Sequence, residues 1–193
     1  MLVLRALGLG DALTAVPALR GLRRGWPGRR LVLAADAAIG DWLRGLGLVD
    51  EVLPTRGLSP LRWPRPGMLG DGGHLAVNLH GSGPQSHLVG SATGPAGMGA
   101  FRQPGAGFDD GPPWRDDEHE VDRWCRLVTA AGGPCDRADL GLAPPGPRTA
   151  EIVLHPGAAA AARRWPAERW ARVTADLVDA GQPVVLTGGP AEI

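Results

Sequence analysis

Short apolar runs alternate with amphipathic segments along most of the chain, and this alternation constrains the fold more than any other feature. The runs at 2–7, 31–35 and 51–54 have the pattern of strands that are buried on both faces of a parallel sheet. The alternation therefore indicates βαβ units in a right-handed, doubly wound α/β fold. The other predicted elements of this part are helices at 42–46, 85–91 and 117–131 and strands at 74–79 and 98–101, with loops at 55–73 and 103–115.

The segment after the first strand is predicted to be a helix with an irregular beginning. Apolar residues recur at helical spacing from Ala12 to Leu22, and Gly25 and Pro27 end the pattern. Pro17 lies inside it and has no backbone N–H for the carbonyl of Leu13, so the first turn should be loose or kinked.

The proline-rich stretch 144–150 is predicted to link two domains, an N-terminal one at 1–143 and a second at 151–193. The second contains a predicted strand at 151–155, a helix at 167–180 and a strand at 183–187. One helix on two strands leaves both sheet edges open, so we expect an incomplete domain whose remainder is missing, and self-association through the open edge.

Composition excludes several classes of protein. The formal net charge is +0, which provides no basic surface for nucleic acid. The 20 basic residues are all arginine, and the two cysteines, Cys125 and Cys135, lack the spacing of a metal site or a disulfide framework. We find no apolar run long enough to cross a membrane and no leader pattern, so a reduced, cytoplasmic protein is expected.

The turn from Gly8 to Asp11 lies between a predicted strand and a helix, where backbone N–H groups favour anions. It resembles part of a dinucleotide-binding fingerprint, and Asp36 follows the second strand where a ribose-binding acid would lie. Leu13 occupies the third position, which should be Gly or Ala. The departure at Leu13 argues against a nicotinamide-binding oxidoreductase, which is therefore the least favoured alternative function.

Asp11 is the strongest candidate for a catalytic residue. An acid at the crevice end of the first strand could take a proton from a bound hydroxyl. The alternative is an N-cap of the following helix, a common use of Asp at such a position. The residues alone leave both roles open.

A second strand-to-helix motif runs from His155 to Pro166, with Pro166 predicted at the first helical position. Arg163 and Arg164 precede the helix, and two guanidinium groups at a helix N-terminus could hold a diphosphate. A solvated arginine pair explains the motif equally well when it is considered alone.

The order and spacing of the two motifs resemble glycosyltransferase family 9, the ADP-heptose:lipopolysaccharide heptosyltransferases and their relatives. The first motif is G-x-G-D-x-L-x-x-x-P-A-L-x-x-L-R from Gly8, and the second is H-P-G-A followed by R-R-W-P-x-E-R-W and V-V-L-T-G-G-P-A-E. The resemblance covers most of the chain, with a poor match at 55–111.

The resemblance implies a GT-B fold, with two Rossmann-like domains that bind the acceptor and the nucleotide-sugar donor on either side of a cleft. It also implies an inverting, metal-independent transferase of lipopolysaccharide biosynthesis that needs no cofactor and meets a membrane only through its acceptor. Asp11 would be the general base. The implied acceptor-binding residues are Gly8, Gly10, Thr14 and His80, and the implied donor-binding residues are Gly157, Ala158, Arg163, Arg164, Gly188 and Gly189.

Two departures from the family pattern qualify the donor site. Arg163 lies where members commonly have Lys, and Ala159 and Ala160 replace residues that often carry hydroxyls. The family's donor-gripping D-x-G-x-x-H segment would lie beyond Ile193. A non-catalytic phosphate- or sugar-binding fragment is therefore the alternative function.

The remaining candidates are weaker. His80 follows a strand, where acceptor contact and a hydrogen-bonded loop histidine are both consistent with the sequence. The acidic run 116–120 suggests a hard cation, but a helix cap at Asp117 with Glu120 explains most of it. Cys125 is expected to be a core residue, and Cys135 has no signature of a nucleophile.

Overall fold

The chain divides into two compact units, 1–141 and 142–193. The computed structural model describes residues 1–63, 73–143, 146–147, 149–158 and 160–189. Part of the predicted linker at 144–150, the position of Ala159 and the last four residues lie outside the described residues.

The described residues of the first unit form a sheet of five parallel strands in the order β3-β2-β1-β4-β5. This confirms the parallel α/β fold that the apolar runs predict. Apolar strands such as β1 are buried on both faces, as expected for a sheet covered by helices. The strands are β1 (Leu2–Leu4), β2 (Val32–Ala35), β3 (Glu51–Pro54), β4 (Leu75–Asn78) and β5 (Gly97–Gly99).

The described residues of this unit form five α-helices, of which the first four lie between strands and the last follows β5: α1 (Leu9–Thr14), α2 (Val16–Gly25), α3 (Ala37–Gly45), α4 (Gln85–Ser91) and α5 (Glu120–Ala130). Helix α2 packs closely against α5 because Gly21 has no side chain. A Cβ at this position would lie only 3.1 Å from Cγ1 of Val128. The other face of the sheet packs a cluster that includes Leu2, Leu4 and Ala34.

The predicted single helix after β1 is two helices. Ala15 ends α1 and begins α2, and Pro17 occupies the first turn of α2. Because Pro17 cannot donate the bond that would continue α1, the chain breaks there, as the position of the proline predicts. The break makes α1 only six residues long.

Two predicted helix starts are wrong: α3 begins at Ala37 rather than at 42, and α5 begins at Glu120 rather than at 117. The N-cap of α5 is His119, whose side chain accepts from the N–H of Val121, so Asp117 is not the cap. In the second unit α6 (Ala167–Asp179) begins at the predicted residue, but Pro166 is its N-cap rather than its first helical residue. Before α5 and α6 the N-cap residue is still extended.

The second unit pairs β6 (Ile152–Leu154) with β7 (Val184–Leu186) in parallel, joined by α6. A short 3-10 helix at Ala161–Arg163 precedes α6. Val153 and Leu186 are each 61% exposed, so the described residues leave most of the surface of these apolar side chains uncovered. No helix among the described residues is long and apolar enough to span a bilayer.

Candidate active site

The first site lies where the strand order of the first unit reverses. The chain passes from β1 to β2 and β3 on one side, then returns to place β4 on the other side of β1. Crevices at the carboxyl ends of strands at such a switch point are the usual ligand sites of doubly wound sheets. Asp11 follows β1 and His80 follows β4, and these two strands are paired.

Asp11 lies in the first turn of α1, and its side chain is 51% exposed. The N-cap of α1 is Gly8, and no side chain caps this helix, so the interpretation of Asp11 as an N-cap is wrong. A Cβ added at Gly8 would lie 3.7 Å from Oδ2 of Asp11, which places the glycine directly beside the carboxylate. The carboxylate is therefore accessible for contact with a ligand.

Arg5 holds the backbone at Asp11. Its Nε and Nη2 atoms donate to the carbonyl of Asp11 at 2.9 and 2.7 Å, and Nη2 also donates to Thr14 Oγ1 at 3.0 Å. Thr14 Oγ1 donates in turn to the carbonyl of Asp11 at 2.8 Å. The Nη1 atom of Arg5 donates to the carbonyl of Leu79, next to His80. Arg5 thus brings Asp11, Thr14 and the chain at His80 together.

His80 faces the same charges. Burial lowers the pKa of His80, and Arg5 lowers it further, while Asp11 raises it. Its Nδ1 atom is buried and has no hydrogen-bond partner among the described residues, whereas its backbone N–H donates to Asn78 Oδ1 at 2.9 Å. The His80 residue as a whole is half-buried, and the exposed part of a neutral imidazole could bond a ligand hydroxyl.

Gly10, another predicted acceptor-binding residue, lies in α1 next to Asp11. A Cβ added there meets nothing within 4 Å, so no close approach of protein backbone requires a glycine at this position. The open space leaves room for a ligand. The roles of Gly8, Gly10, Thr14, His80 and Asp11 toward an acceptor stay predictions.

Sequence reasoning missed Arg5, Glu120 and Trp124. Arg5 is only 2% exposed, and burial lowers its pKa to about 10 although Glu120 and Asp11 raise it. Its guanidinium carbon lies 4.7 Å from the Trp124 ring centroid. One signal was available in the sequence, since a charged residue stands in the otherwise apolar run 2–7.

Three carboxylates of the acidic run at 116–120 have protein partners. Glu118 accepts from Nε and Nη2 of Arg126 at 2.7 and 2.6 Å, and these bonds lower the pKa of Glu118. Asp116 accepts from Trp114 Nε1 at 2.9 Å, and Glu120 accepts from Arg123 at 2.8 Å. Within the described ranges, no group of three or more His, Cys, Asp or Glu residues could hold a metal ion.

Asp36, the alternative ribose-binding acid, caps a helix. Its Oδ1 accepts from the N–H of Ala38 at 3.0 Å at the start of α3. This bond provides a structural reason for an acid after β2 without a nucleotide.

The second site belongs to the second unit and lies at the carboxyl ends of β6 and β7. His155 Nδ1 and Thr187 Oγ1 are 3.1 Å apart, which ties the two loops that follow these strands. Arg164 Nε donates to the carbonyl of Ala158 at 2.7 Å. Gly157, Arg164 and Gly188 line one groove of about 830 Å³.

The groove combines apolar walls with a cation. Trp165 and Trp170 line it with their rings perpendicular at a centroid distance of 5.5 Å. The guanidinium of Arg163 makes no hydrogen bond or ion pair to any residue in the described part of the chain, and it is exposed. Three of the predicted donor-binding residues, Arg163, Ala158 and Gly189, do not line the groove. Ala158 is connected to it through the hydrogen bond that its carbonyl accepts from Arg164.

A further cavity of about 590 Å³ runs along β4 and β5 and is closed by α5 and the segment 107–112. Its lining residues do not include Arg5, Asp11 or His80, so it is separate from the crevice at Asp11.

Comparison with known proteins connects this chain to one family. Residues 113–193 match the model of glycosyltransferase family 9 (heptosyltransferase), which confirms the resemblance to that family. A search of curated proteins gave no significant match.

Three solved structures, two of them heptosyltransferases, are similar to this chain in fold. A glycosyl transferase family 9 protein from Veillonella parvula superimposes with a TM-score of 0.76 at 18% identity, over 100% of this chain and 63% of that one. ADP-heptose LPS heptosyltransferase II of E. coli gives 0.70 at 21% identity, over 99% and 65%. E. coli heptosyltransferase WaaC with ADP gives 0.67 at 15% identity, over 99% and 67%. The chain thus spans 63% of the length of the Veillonella structure.

Proposed function

We propose that the chain acts in an inverting, metal-independent glycosyl transfer from a nucleoside diphosphate sugar to a hydroxyl of a glycan or lipid-linked glycan. The family match at 113–193 and the fold shared with heptosyltransferases support glycosyl transfer. A heptose-like sugar carried on ADP is the default donor of that family, and a cytoplasmic location is part of the same proposal.

The observation that carries the proposal is the position of Asp11. Its carboxylate is half-exposed at the carboxyl edge of β1, and its backbone is fixed by Arg5. In the proposed reaction Asp11 takes the proton of the acceptor hydroxyl as that oxygen attacks the anomeric carbon. One bond forms and the bond to the diphosphate breaks in the same displacement, which inverts the anomeric configuration.

His80 supports acceptor binding in this proposal. The half-buried, neutral ring of His80 would bond an acceptor hydroxyl that lies beside the one to be deprotonated. Thr14 would act by keeping the Asp11 turn in place, since its hydroxyl is bonded within that turn.

The groove of the second unit supports donor binding. A nucleoside diphosphate has a planar aromatic base and charged phosphates, and the groove is lined by the rings of Trp165 and Trp170 and by the guanidinium of Arg164. The exposed Arg163, with no partner among the described residues, would add a second cation for the charge that develops on the leaving diphosphate.

The proposal is tested by incubating the chain with ADP-heptose and a heptose-free lipopolysaccharide core acceptor in the presence of EDTA. We expect release of ADP together with a product whose anomeric configuration, determined by proton NMR, is opposite to that of the donor. Retained configuration, loss of turnover on chelation or the absence of any transfer would contradict it.

A further inference from the structure

The buried charge of Arg5 requires a reason. Arg5 directly follows β1 and is 2% exposed, and a guanidinium at such a position is costly unless it is bonded and paired. Its bonds go to two separate segments, the turn at Asp11 and the carbonyl of Leu79 after β4. Arg5 therefore joins the two strand ends between which the crevice lies.

The bonds to Asp11 satisfy a carbonyl that the backbone of α1 leaves open and to which Thr14 Oγ1 also donates. Helix α1 ends before Ala15, whose N–H bonds to the carbonyls of Ala12 and Leu13 instead of that of Asp11. Carbonyls in the last turn of a helix lack partners in the helix itself. Arg5 supplies two N–H groups to the carbonyl of Asp11, at 2.9 and 2.7 Å.

Two carboxylates balance the charge of Arg5. Its Nη2 lies 3.9 Å from Asp11 Oδ1 and 3.8 Å from Glu120 Oε2. Oε2 of Glu120 is buried and has no hydrogen-bond partner within the described residues, while Oε1 accepts from Arg123 at 2.8 Å. The Trp124 ring contacts the guanidinium from the same helix, α5.

From these contacts we infer that Arg5 is a positioning residue for Asp11 and that Glu120 is the counter-ion that fixes Arg5 from α5. The inference rests on the proposed function, in which Asp11 is the base. Arg5 is too buried to contact an acceptor, so it acts by fixing the turn from which the Asp11 side chain projects. Displacing a reacting group by about 1 Å can lower a rate by about 100-fold.

The activity test is a double-mutant cycle on kcat. We expect Arg5→Lys, which keeps the charge but loses the two-pronged bond, to lower kcat about 10- to 100-fold, with KM for both substrates changed less than about twofold. Glu120→Gln should lower kcat by a smaller factor. In an Asp11→Asn background Arg5→Lys should cost less than about twofold, because residues that act as a unit are not additive.

Arg126 provides a matched control. Like Arg5, it lies over an aromatic ring, that of Phe101 at 5.1 Å, and it pairs with a carboxylate, that of Glu118. Arg126→Lys removes the same type of bond away from Asp11. Its effect on kcat should therefore be small, and it should be the same in the unmodified chain and in the Asp11→Asn background.

Hydrogen exchange gives a readout that does not require turnover. We expect the amides of residues 9–15 to exchange about tenfold faster or more in Arg5→Lys than in the unmodified chain, and to be unchanged in Arg126→Lys. An unchanged exchange rate at 9–15, or an equal loss of kcat with and without the Asp11 carboxylate, would overturn the role of Arg5. If Asp11→Asn keeps normal turnover, the proposed function fails, and the exchange result alone decides whether Arg5 holds the turn.

Discussion

Arg164 braces the loop that follows β6: its Nε donates a 2.7 Å hydrogen bond to the carbonyl of Ala158, at one side of the groove in the second unit. The guanidinium therefore fixes this loop through Nε, and its remaining N–H groups stay available to a ligand in the groove. Arg163, one residue earlier, has no such bond among the described residues. The two arginines should contribute differently to donor binding.

We predict that Arg164→Ala weakens ADP binding about tenfold or more, because it removes both a charge and the brace. Arg164→Lys should recover only part of the loss, since it restores the charge without the bond from Nε. Arg163→Lys should bind nearly as well as the unmodified chain, because charge alone is required there. Isothermal titration with ADP measures these affinities.

Arg172, an exposed residue of α6, is the control for the titration. Its replacement by alanine should leave ADP affinity unchanged. Equal affinity of the Arg164 and Arg172 alanine variants would contradict the donor role of Arg164.

Two glycines of α3 should respond oppositely to alanine. A Cβ at Gly40 would lie 2.5 Å from Cγ1 of Val52, so helix and strand would have to separate. We expect Gly40→Ala to lower the free energy of unfolding by about 1–3 kcal/mol. At Gly45 nothing lies within 4 Å, so alanine should be neutral or raise it by up to about 1 kcal/mol.

Urea denaturation of the two variants measures this difference. A Gly40→Ala protein as stable as the Gly45→Ala protein would show that α3 and β3 do not pack as closely as described.

We predict that the free energy of unfolding decreases as the pH is lowered from 7 to 5. Burial lowers the pKa of His74, His80 and His87 in the folded chain. The unfolded chain has histidines near their ordinary value of about 6.5, so it binds more protons than the folded chain below that pH. The stabilisation is therefore complete above about pH 7 and is lost as the pH falls.

His87 shows the physical reason. Its Nε2 lies 2.7 Å from the carbonyl of Phe101 and Nδ1 lies 3.0 Å from Nδ2 of Asn78, so a second ring proton would face an amide donor. We expect the urea midpoint to be lower at pH 5 than at pH 7.5, and His80→Asn, which removes one titrating group, to reduce this dependence. A midpoint that is constant or rises toward pH 5 would disagree with the burial of these rings.

The sequence predicts the elements with local signals and misses the contacts between distant segments. The bounds of β3 and α4 are those predicted, because turn residues mark both ends of each segment. The helix break at Pro17 is also predictable from the sequence, since the missing N–H affects only the neighbouring turns of the same segment.

Arg5 could not be assigned from sequence. Its counter-ion Glu120 and its aromatic partner Trp124 lie more than a hundred positions away, and only the packing of α5 at the carboxyl edge of β1 brings them together. The N-cap of α5 is a related case: Asp117 has the commoner capping side chain, but the chain turns into the helix only after His119. The capping preference of Asp117 is outweighed there by the ion pairs of Glu118 with Arg126 and of Glu120 with Arg123.

The central claim is that the Asp11 carboxylate activates the acceptor hydroxyl. Its most direct test is the turnover number of Asp11→Asn with saturating donor and acceptor, beside Asp41→Asn, which alters an exposed carboxylate of α3 paired with Arg44. We predict a fall in kcat of about 10²- to 10⁴-fold for Asp11→Asn and no change for Asp41→Asn. Near-normal turnover of the Asp11→Asn protein would contradict the account.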